Sequence, residues 1–220
     1  MNLAELERAE LEQAMGQFDA RAFHGRQVFS WIHRKGVTDV GAMTDLPQAL
    51  RDRLHNAATI GTPVVESVQI SSDGTTKFLL QLQDGRRIES VYIPDTPAQT
   101  FCVSTQVGCA MACAFCLTGK MGLVRHLSAG EIAGQVRVLA HHTKLAGSSF
   151  NIVLMGMGEP LHNYDATMKA LRMLADEAGL GVHPKRVTLS TVGLVPAMER
   201  LATEALMPNL AISLHATTDA

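Results

Sequence analysis

Residues 108–116, "GCAMACAFC", are the most informative stretch of this sequence. They hold Cys109, Cys113 and Cys116 at the spacing C-x3-C-x2-C. The chain has one other cysteine, Cys102, which lies seven residues before Cys109. Cysteines confined to one short segment do not crosslink a fold. The pattern therefore favours metal or redox chemistry over a disulfide framework.

Three thiolates on one loop can hold three corners of a cubane iron–sulfur cluster and leave one iron open to an external ligand, because complete ligation takes four cysteines. Zinc is the main alternative, with Cys102 as the fourth thiolate of a closed site. Zinc motifs usually pair cysteines two by two, however, whereas Cys102 lies in a predicted strand. A third possibility is that the cysteines are small buried hydrophobic side chains. The spacing favours the cluster.

Outward from this loop, apolar strands alternate with amphipathic helices. Ser128 and Glu131 have the spacing of a capping box, which starts one of these helices, and Gly179 is expected to end the next. The predicted strands are "TFCVST", "FNIVLMG", "RVTLST" and "NLAISLHA". Strands of this kind, separated by helices, predict an α/β fold with a parallel sheet. Four strands make half of a closed eight-stranded barrel or most of a small open sheet.

The unusual residues follow the predicted strands. The cysteine loop follows the first strand, "GMGEP" (156–160) the second, "STVG" (190–193) the third, and "SLHA" (213–216) closes the fourth. In parallel folds the chemistry lies at the carboxyl ends of the strands. We therefore expect these four segments to meet on one side of the sheet.

The regions before the sheet have a different texture. Residues 1–60 have helical patterns and predict a small helical domain, with Pro47 opening its last helix. Residues 61–98 contain three β-rich runs and the turn signal Asp84-Gly85, which predict a short antiparallel β segment linking the two parts. Residues 99–220 would then form the N-terminal part of a partial parallel (β/α) barrel.

Composition limits the possible functions. The chain has 220 residues, 46% of them hydrophobic, and a formal net charge of −2. No apolar run has the length of a membrane span, and the acidic N-terminus does not have the pattern of a signal peptide, so we expect a cytoplasmic protein without a membrane partner. Without a basic surplus, an RNA partner would be held by a local patch.

The cysteine loop, with Phe115 directly before Cys116, resembles the signature of the radical S-adenosylmethionine superfamily. Four longer sequence segments resemble one family of that superfamily, the dual-specificity ribosomal and transfer RNA adenine-C2 methyltransferases. They are "TFCVSTQVGCAMACAFCLTGKMG", "VLMGMGEPLHNYD", "KRVTLSTVGLVPAMERL" and "LAISLHATTD". The segments "FHGRQVFSWIHRKGVTDVGAMTDLP" and "DGRRIESVYIP" are similar to that family's N-terminal helical domain and linking β segment.

The resemblance implies two cofactors. A 4Fe-4S cluster would be bound by Cys109, Cys113 and Cys116, and S-adenosylmethionine would chelate its open iron. The implied contacts to S-adenosylmethionine are Phe115, Gly158, Glu159, Ser190, Ser213, Leu214 and His215. Taken singly, Ser190 and Ser213 could merely cap strand ends, and His215 could be a core residue.

The resemblance also implies a radical mechanism that uses two molecules of S-adenosylmethionine per turnover. The first methylates a cysteine near the C-terminus, and the radical made from the second activates that methyl group for addition to adenine. Cys102 matches the cysteine that resolves the protein–RNA thioether through a transient disulfide bond, and Glu89 matches the proton acceptor. Cys102 could equally be a buried strand residue, and Glu89 a solvated strand position.

The implied partners are 23S ribosomal RNA, transfer RNA and an electron donor such as flavodoxin, and we expect a monomer. The chain ends at Ala220 without a cysteine after Cys116. We therefore expect a C-terminally truncated fragment that is inactive in methyl transfer on its own. The alternatives are a relative that methylates adenine C8, a radical enzyme acting on a protein or small molecule, and a non-catalytic RNA-binding module with structural zinc.

Overall fold

A computed structural model of the chain describes residues 1–94 and 98–214. Its helices are α1 (Arg8–Ala14), α2 (Phe23–His33), α3 (Gln48–Ala57), α4 (Leu117–Lys120), α5 (Ala129–His142), α6 (Tyr164–Ala175) and α7 (Val195–Leu201). Its strands are β1 (Val64–Ile70), β2 (Thr76–Gln81), β3 (Arg87–Ile93), β4 (Thr100–Cys102), β5 (Gln106–Gly108), β6 (Leu123–His126), β7 (Asn151–Leu154), β8 (Val187–Thr191) and β9 (Asn209–Ile212). Short 3-10 turns lie at Leu3–Glu5, Met15–Phe18, Val40–Ala42 and Pro184–Arg186.

The predicted α/β fold with a parallel sheet is confirmed. Within the described ranges, seven strands form one sheet in the order β1-β2-β3-β4-β7-β8-β9, and β4, β7, β8 and β9 run parallel. The predicted three-stranded antiparallel segment is β1 to β3. This segment continues the same sheet, because β3 pairs with β4 and places Tyr92 opposite Phe101. The sequence did not predict that join.

The two faces of the sheet differ in burial because successive strand residues point to opposite sides. One face carries apolar side chains such as Phe78, Ile88 and Phe101, which are fully buried in a single core that also contains apolar residues of α5 and α6. The opposite face is only partly covered, and we call it the open face. It comprises Leu79, Glu89, Val91, Cys102, Val153 and Ser190.

The 3-10 turn Leu3–Glu5 packs on the start of α5 through a carboxylate. Glu5 accepts hydrogen bonds from the hydroxyl of Ser128 at 2.6 Å and from the backbone N–H of Gly130 at 2.8 Å. The predicted capping box is also present, since Ser128 accepts from the N–H of Glu131 and Glu131 accepts from the N–H of Ser128. Negative charge at a helix N-terminus is favourable, so these bonds fix the helix against the first residues of the chain.

One predicted boundary is wrong. We expected α6 to end at Gly179, but it ends at Ala175. Asp176 adopts an extended conformation, accepts a hydrogen bond from the N–H of Ala178 at 2.8 Å and pairs with Arg8 at 2.8 Å. A side-chain carboxylate that accepts a hydrogen bond from the backbone two residues further on competes with the helix, and here it ends the helix before the glycine is reached.

Among the described residues, no helix is both long enough and apolar enough to cross a bilayer.

Candidate active site

A two-stranded antiparallel ribbon, β5 with β6, closes the cysteine loop at its base. The N–H of Cys109 donates to the carbonyl of Gly122 at 3.0 Å. Gly108, whose φ is +75°, lies against the same carbonyl, so a side chain there would collide with it. Sequence analysis missed the ribbon and treated the region as one loop. The paired glycines that border it were the available signal.

Inside the ribbon the loop turns tightly. Ala112 has a φ of +51°, in the left-handed region that disfavours residues with a Cβ atom. The N–H of Cys116 donates to the carbonyl of Cys113 at 3.0 Å, and the N–H of Met111 lies 3.5 Å from the sulfur of Cys109. This turn brings three cysteines that are separated by three and two residues to the same side of the loop.

The pKa of the Cys109 thiol reflects the groups around it. Burial raises the pKa of Cys109, and the negative charges of Cys113, Glu159 and Cys116 raise it further against the hydrogen bond from Met111. Thiolates in this position repel one another until positive charge is placed between them.

Among the described residues, no three or more His, Cys, Asp or Glu side chains form a group that could hold a single metal ion.

A cavity of about 290 Å³ lies between the cysteine loop and the carboxyl ends of β7, β8 and β9. Soft thiolates in such a cavity are the donors that iron–sulfur clusters use, and the other loops leave room for a second ligand beside them. The predicted convergence of four loops is therefore present. The residues lining the cavity are Cys109, Met111, Cys113, Phe115, Cys116, Thr118, Leu154, Met155, Gly156, Gly158, Glu159, Ser190, Thr191, Val192 and Ser213.

The segment after β7 is held against the segment after β4 by backbone bonds. The carbonyl of Met157 accepts from the N–H groups of Thr105 at 2.8 Å and Gln106 at 3.1 Å. Gly158 has a φ of +106°, and a Cβ atom there would lie 2.6 Å from the Cβ of Gln106. Only glycine fits such a conformation and approach, so the "GMGEP" segment needs its glycine at this position.

Glu159 joins two of the converging loops. Its side chain is only 3% exposed, and its two oxygens accept from the N–H groups of Leu161 at 3.1 Å and Val192 at 3.0 Å. The carboxylate therefore fixes the loop after β8 relative to the loop after β7. At the next position along the sheet edge, the hydroxyl oxygens of Ser190 and Ser213 lie 3.0 Å apart.

The two predicted catalytic residues lie outside this cavity, on the open face. Cys102 stands opposite Val91, which is two residues along β3 from Glu89, so both side chains point to the same side of the sheet. Burial raises the pKa of the Cys102 thiol, against a hydrogen bond from the backbone of Met155. Glu89 has a side chain that is 47% exposed and forms an ion pair with Lys77 at 2.9 Å.

Two further residues, Leu214 and His215, were predicted to contact S-adenosylmethionine, and Cys102 was predicted to form a transient disulfide bond. Leu214 is exposed and directly follows Ser213, but it does not line the cavity. His215 lies outside the described residues. All four cysteines are free thiols.

Sequence analysis missed a buried polar network beneath the site. Gln135 of α5 accepts from the hydroxyl of Ser90 and the N–H of Ser104, both at 2.8 Å, and donates to the carbonyl of Ser104 at 2.9 Å. The hydroxyl of Ser104 donates to the carbonyl of Glu89 and accepts from the N–H of Met157. A glutamine on the apolar face of a helix, and polar residues directly after the strand "TFCV", were the signals for it.

Comparisons with known proteins agree with this geometry. Residues 103–220, more than half of the chain, match the model of the radical SAM superfamily, and residues 1–60 match the ribosomal RNA large subunit methyltransferase N-terminal domain. The crystal structure of a radical SAM methyltransferase from Sphaerobacter thermophilus is similar to this chain, with 43% sequence identity and a TM-score of 0.91. That match covers 98% of this chain and 64% of the other, so this chain spans less than two thirds of that protein's length.

Proposed function

This chain belongs to the radical S-adenosylmethionine superfamily, which uses a 4Fe-4S cluster and S-adenosylmethionine, and from that premise we propose that it is an RNA methyltransferase acting on C2 of adenine. One observation carries the proposal: the three thiols of the C-x3-C-x2-C loop line one cavity with the loops that follow β7, β8 and β9. The match of residues 1–60 to a ribosomal RNA methyltransferase domain, and the similarity to a radical SAM methyltransferase, support RNA methylation.

Cys109, Cys113 and Cys116 would hold the cluster. When bound, the cluster supplies the electron that cleaves a carbon–sulfur bond of S-adenosylmethionine. The chain's own residues shape the space for that molecule. Phe115 at the mouth, together with Gly158, Ser190 and Ser213, lines the part of the cavity beside the thiols, where backbone and hydroxyl groups can bind a polar ligand.

Adenine C2 requires chemistry of this kind. It is an electron-poor aromatic carbon bearing hydrogen, so it cannot act as a nucleophile toward a methyl sulfonium. We propose that the adenine of the RNA approaches over the open face. There Cys102 would release the methylated RNA from the protein–RNA thioether by forming a disulfide bond with the methyl-carrying cysteine, and Glu89 would accept the proton from adenine C2. For that step, Glu89 would exchange its bond to Lys77 for one to the substrate, since a general base must lie within hydrogen-bonding reach.

The wider assignments are part of the same proposal. The substrates would be 23S ribosomal RNA and transfer RNA, and the electron donor a protein such as flavodoxin. Residues 1–60 would form the helical accessory domain, 61–98 the linking β segment and 99–220 the start of the barrel. The protein would act as a monomer in the cytoplasm.

Nucleoside analysis tests the function directly. The chain would be joined to the part of the Sphaerobacter thermophilus relative that it does not cover, reconstituted without oxygen, and incubated with labelled S-adenosylmethionine, a reductant and each RNA. We expect labelled 2-methyladenosine from this protein and none from its Cys102→Ala variant. Label in 8-methyladenosine would refute the regiochemistry. Label in no nucleoside, from protein that holds its cluster and cleaves S-adenosylmethionine, would refute RNA methylation.

A further inference from the structure

Gln106 lies directly under the segment that would bind S-adenosylmethionine. Its side chain is fully buried at the start of β5, although it is an amide with several hydrogen-bonding atoms. The amide oxygen accepts from the N–H of Glu159 at 2.9 Å. The amide nitrogen lies 3.0 Å from Nδ1 of His126 and 3.2 Å from Nδ1 of His162. One buried amide thus connects the "GMGEP" segment to two histidines.

The orientation of this amide is fixed by chemistry. The N–H of Glu159 can only donate, so it requires the oxygen of Gln106 to face it. The NH₂ group must then face the two imidazoles, and its two hydrogens match the two nitrogens in reach. Turning the amide over would place NH₂ against the N–H of Glu159 and leave a buried donor without an acceptor, which is costly.

The fixed amide also fixes the state of both histidines. Each Nδ1 must accept a hydrogen bond, so each ring must be neutral and carry its proton on Nε2. Protonation of either ring would place an N–H against the NH₂ of Gln106. The rings are themselves in contact, with centroids 5.0 Å apart, so one protonated ring also opposes protonation of the other.

The surroundings of His126 support its neutral state. Partial burial of the ring lowers the pKa of His126, and the neighbouring His162 lowers it further. Arg125, next to His126, adds positive charge but is paired with Asp84 and Glu131. The carboxylate of Glu159 is taken up by backbone N–H groups, and Asp165, near His162, is paired with Arg200. Each histidine residue is nevertheless exposed over part of its surface, so protons in solvent reach both rings.

We propose that Gln106 is a positioning residue for the S-adenosylmethionine loop, and that His126 and His162 make its support of Gly158 and Glu159 sensitive to pH. The loop would have its binding conformation while both rings are neutral. Protonation of either ring would displace the amide, release the N–H of Glu159 and weaken binding. This inference rests on the proposed S-adenosylmethionine site.

The test is the affinity of the reconstituted protein for S-adenosylmethionine, measured by equilibrium dialysis at several pH values between about 5 and 8. We expect binding at the low end to be at least about tenfold weaker than at the high end. The double variant His126→Asn, His162→Asn keeps an acceptor at both positions and should remove the pH dependence. Gln106→Glu presents a carboxylate oxygen to the rings and should reverse it. Exposed Gln69→Glu is the matched control.

A second readout does not depend on the cofactor. Nitrogen NMR of the imidazoles should show both rings as Nε2–H tautomers, and Gln106→Met should make His126 easier to protonate. Unchanged titration in that variant would overturn the proposal. Binding of S-adenosylmethionine that is independent of pH would overturn this inference alone, whereas protein that binds none at any pH would overturn the cofactor site with it.

Discussion

Replacing Gly108 by alanine should open the ribbon that closes the cysteine loop. Gly108 has a φ of +75°, and an added Cβ would collide with the carbonyl oxygen of Gly122, which accepts the hydrogen bond from Cys109. Gly85, in the turn between β2 and β3, has a φ of +79° and nothing within 4 Å of an added Cβ. Gly85→Ala is therefore a matched control that has the backbone strain without the collision.

The two substitutions should differ by a calculable amount. Alanine in the left-handed region costs roughly 1–2 kcal/mol, so the free energy of unfolding should fall by that amount in Gly85→Ala. Gly108→Ala adds displacement of the Gly122 carbonyl, which leaves the N–H of Cys109 without its acceptor at a further cost of about 1–3 kcal/mol. The total expected for Gly108→Ala is thus about 2–5 kcal/mol.

Urea denaturation under reducing conditions measures both free energies of unfolding. Iron and sulfide analysis after anaerobic reconstitution measures whether the loop still holds a cluster. We expect Gly108→Ala to lose more stability and most of its iron, while Gly85→Ala keeps its iron. Equal losses in the two variants, with full iron content in both, would refute the argument that the ribbon holds the loop.

Three further predictions concern single side chains. His33 is buried, and burial followed by the charge of Arg137 lowers its pKa well below 6.5, so the unfolded chain binds a proton that the folded chain does not. Stability should therefore fall as pH decreases below about 6.5, by up to about 1.4 kcal/mol per pH unit, and urea titration of His33→Leu should lack that part of the slope. Glu159→Gln leaves one backbone N–H without an acceptor, so it should lower the free energy of unfolding measured in urea by about 1.5–3 kcal/mol. Glu199 is exposed, and Glu199→Gln should lower it by less than about 0.5 kcal/mol. Similar losses in both variants would contradict the bridging role of Glu159. Ala112→Gly should raise the free energy of unfolding measured in urea by up to about 1 kcal/mol, because glycine adopts a positive φ without strain. A clear loss of stability would argue against strain at Ala112.

The sequence predicted the parts of the fold that depend on local patterns. Alternation of apolar strands with amphipathic helices identified the parallel sheet, and the spacing of Ser128 and Glu131 identified the start of α5. The join between β3 and β4 was not predictable in this way. It depends on pairing between strands, and nothing in the residues of either strand specifies the partner.

The site shows the same division. The carboxyl ends of parallel strands meet by geometry, so the convergence of the cysteine loop with the segments containing Glu159, Ser190 and Ser213 could be predicted. The inward use of the Glu159 carboxylate could not, because it depends on the exact approach of two loops. The role of Gln106 was equally hidden, since a buried glutamine and two exposed histidines are related only through the folded chain.

Electron paramagnetic resonance of the reduced, anaerobically reconstituted protein, recorded with and without S-adenosylmethionine, tests the central claim most directly. The account predicts a 4Fe-4S signal that changes when S-adenosylmethionine is added, because the three cysteines leave one iron open to it. A cluster signal that S-adenosylmethionine does not alter, or stoichiometric zinc without inorganic sulfide, would contradict it.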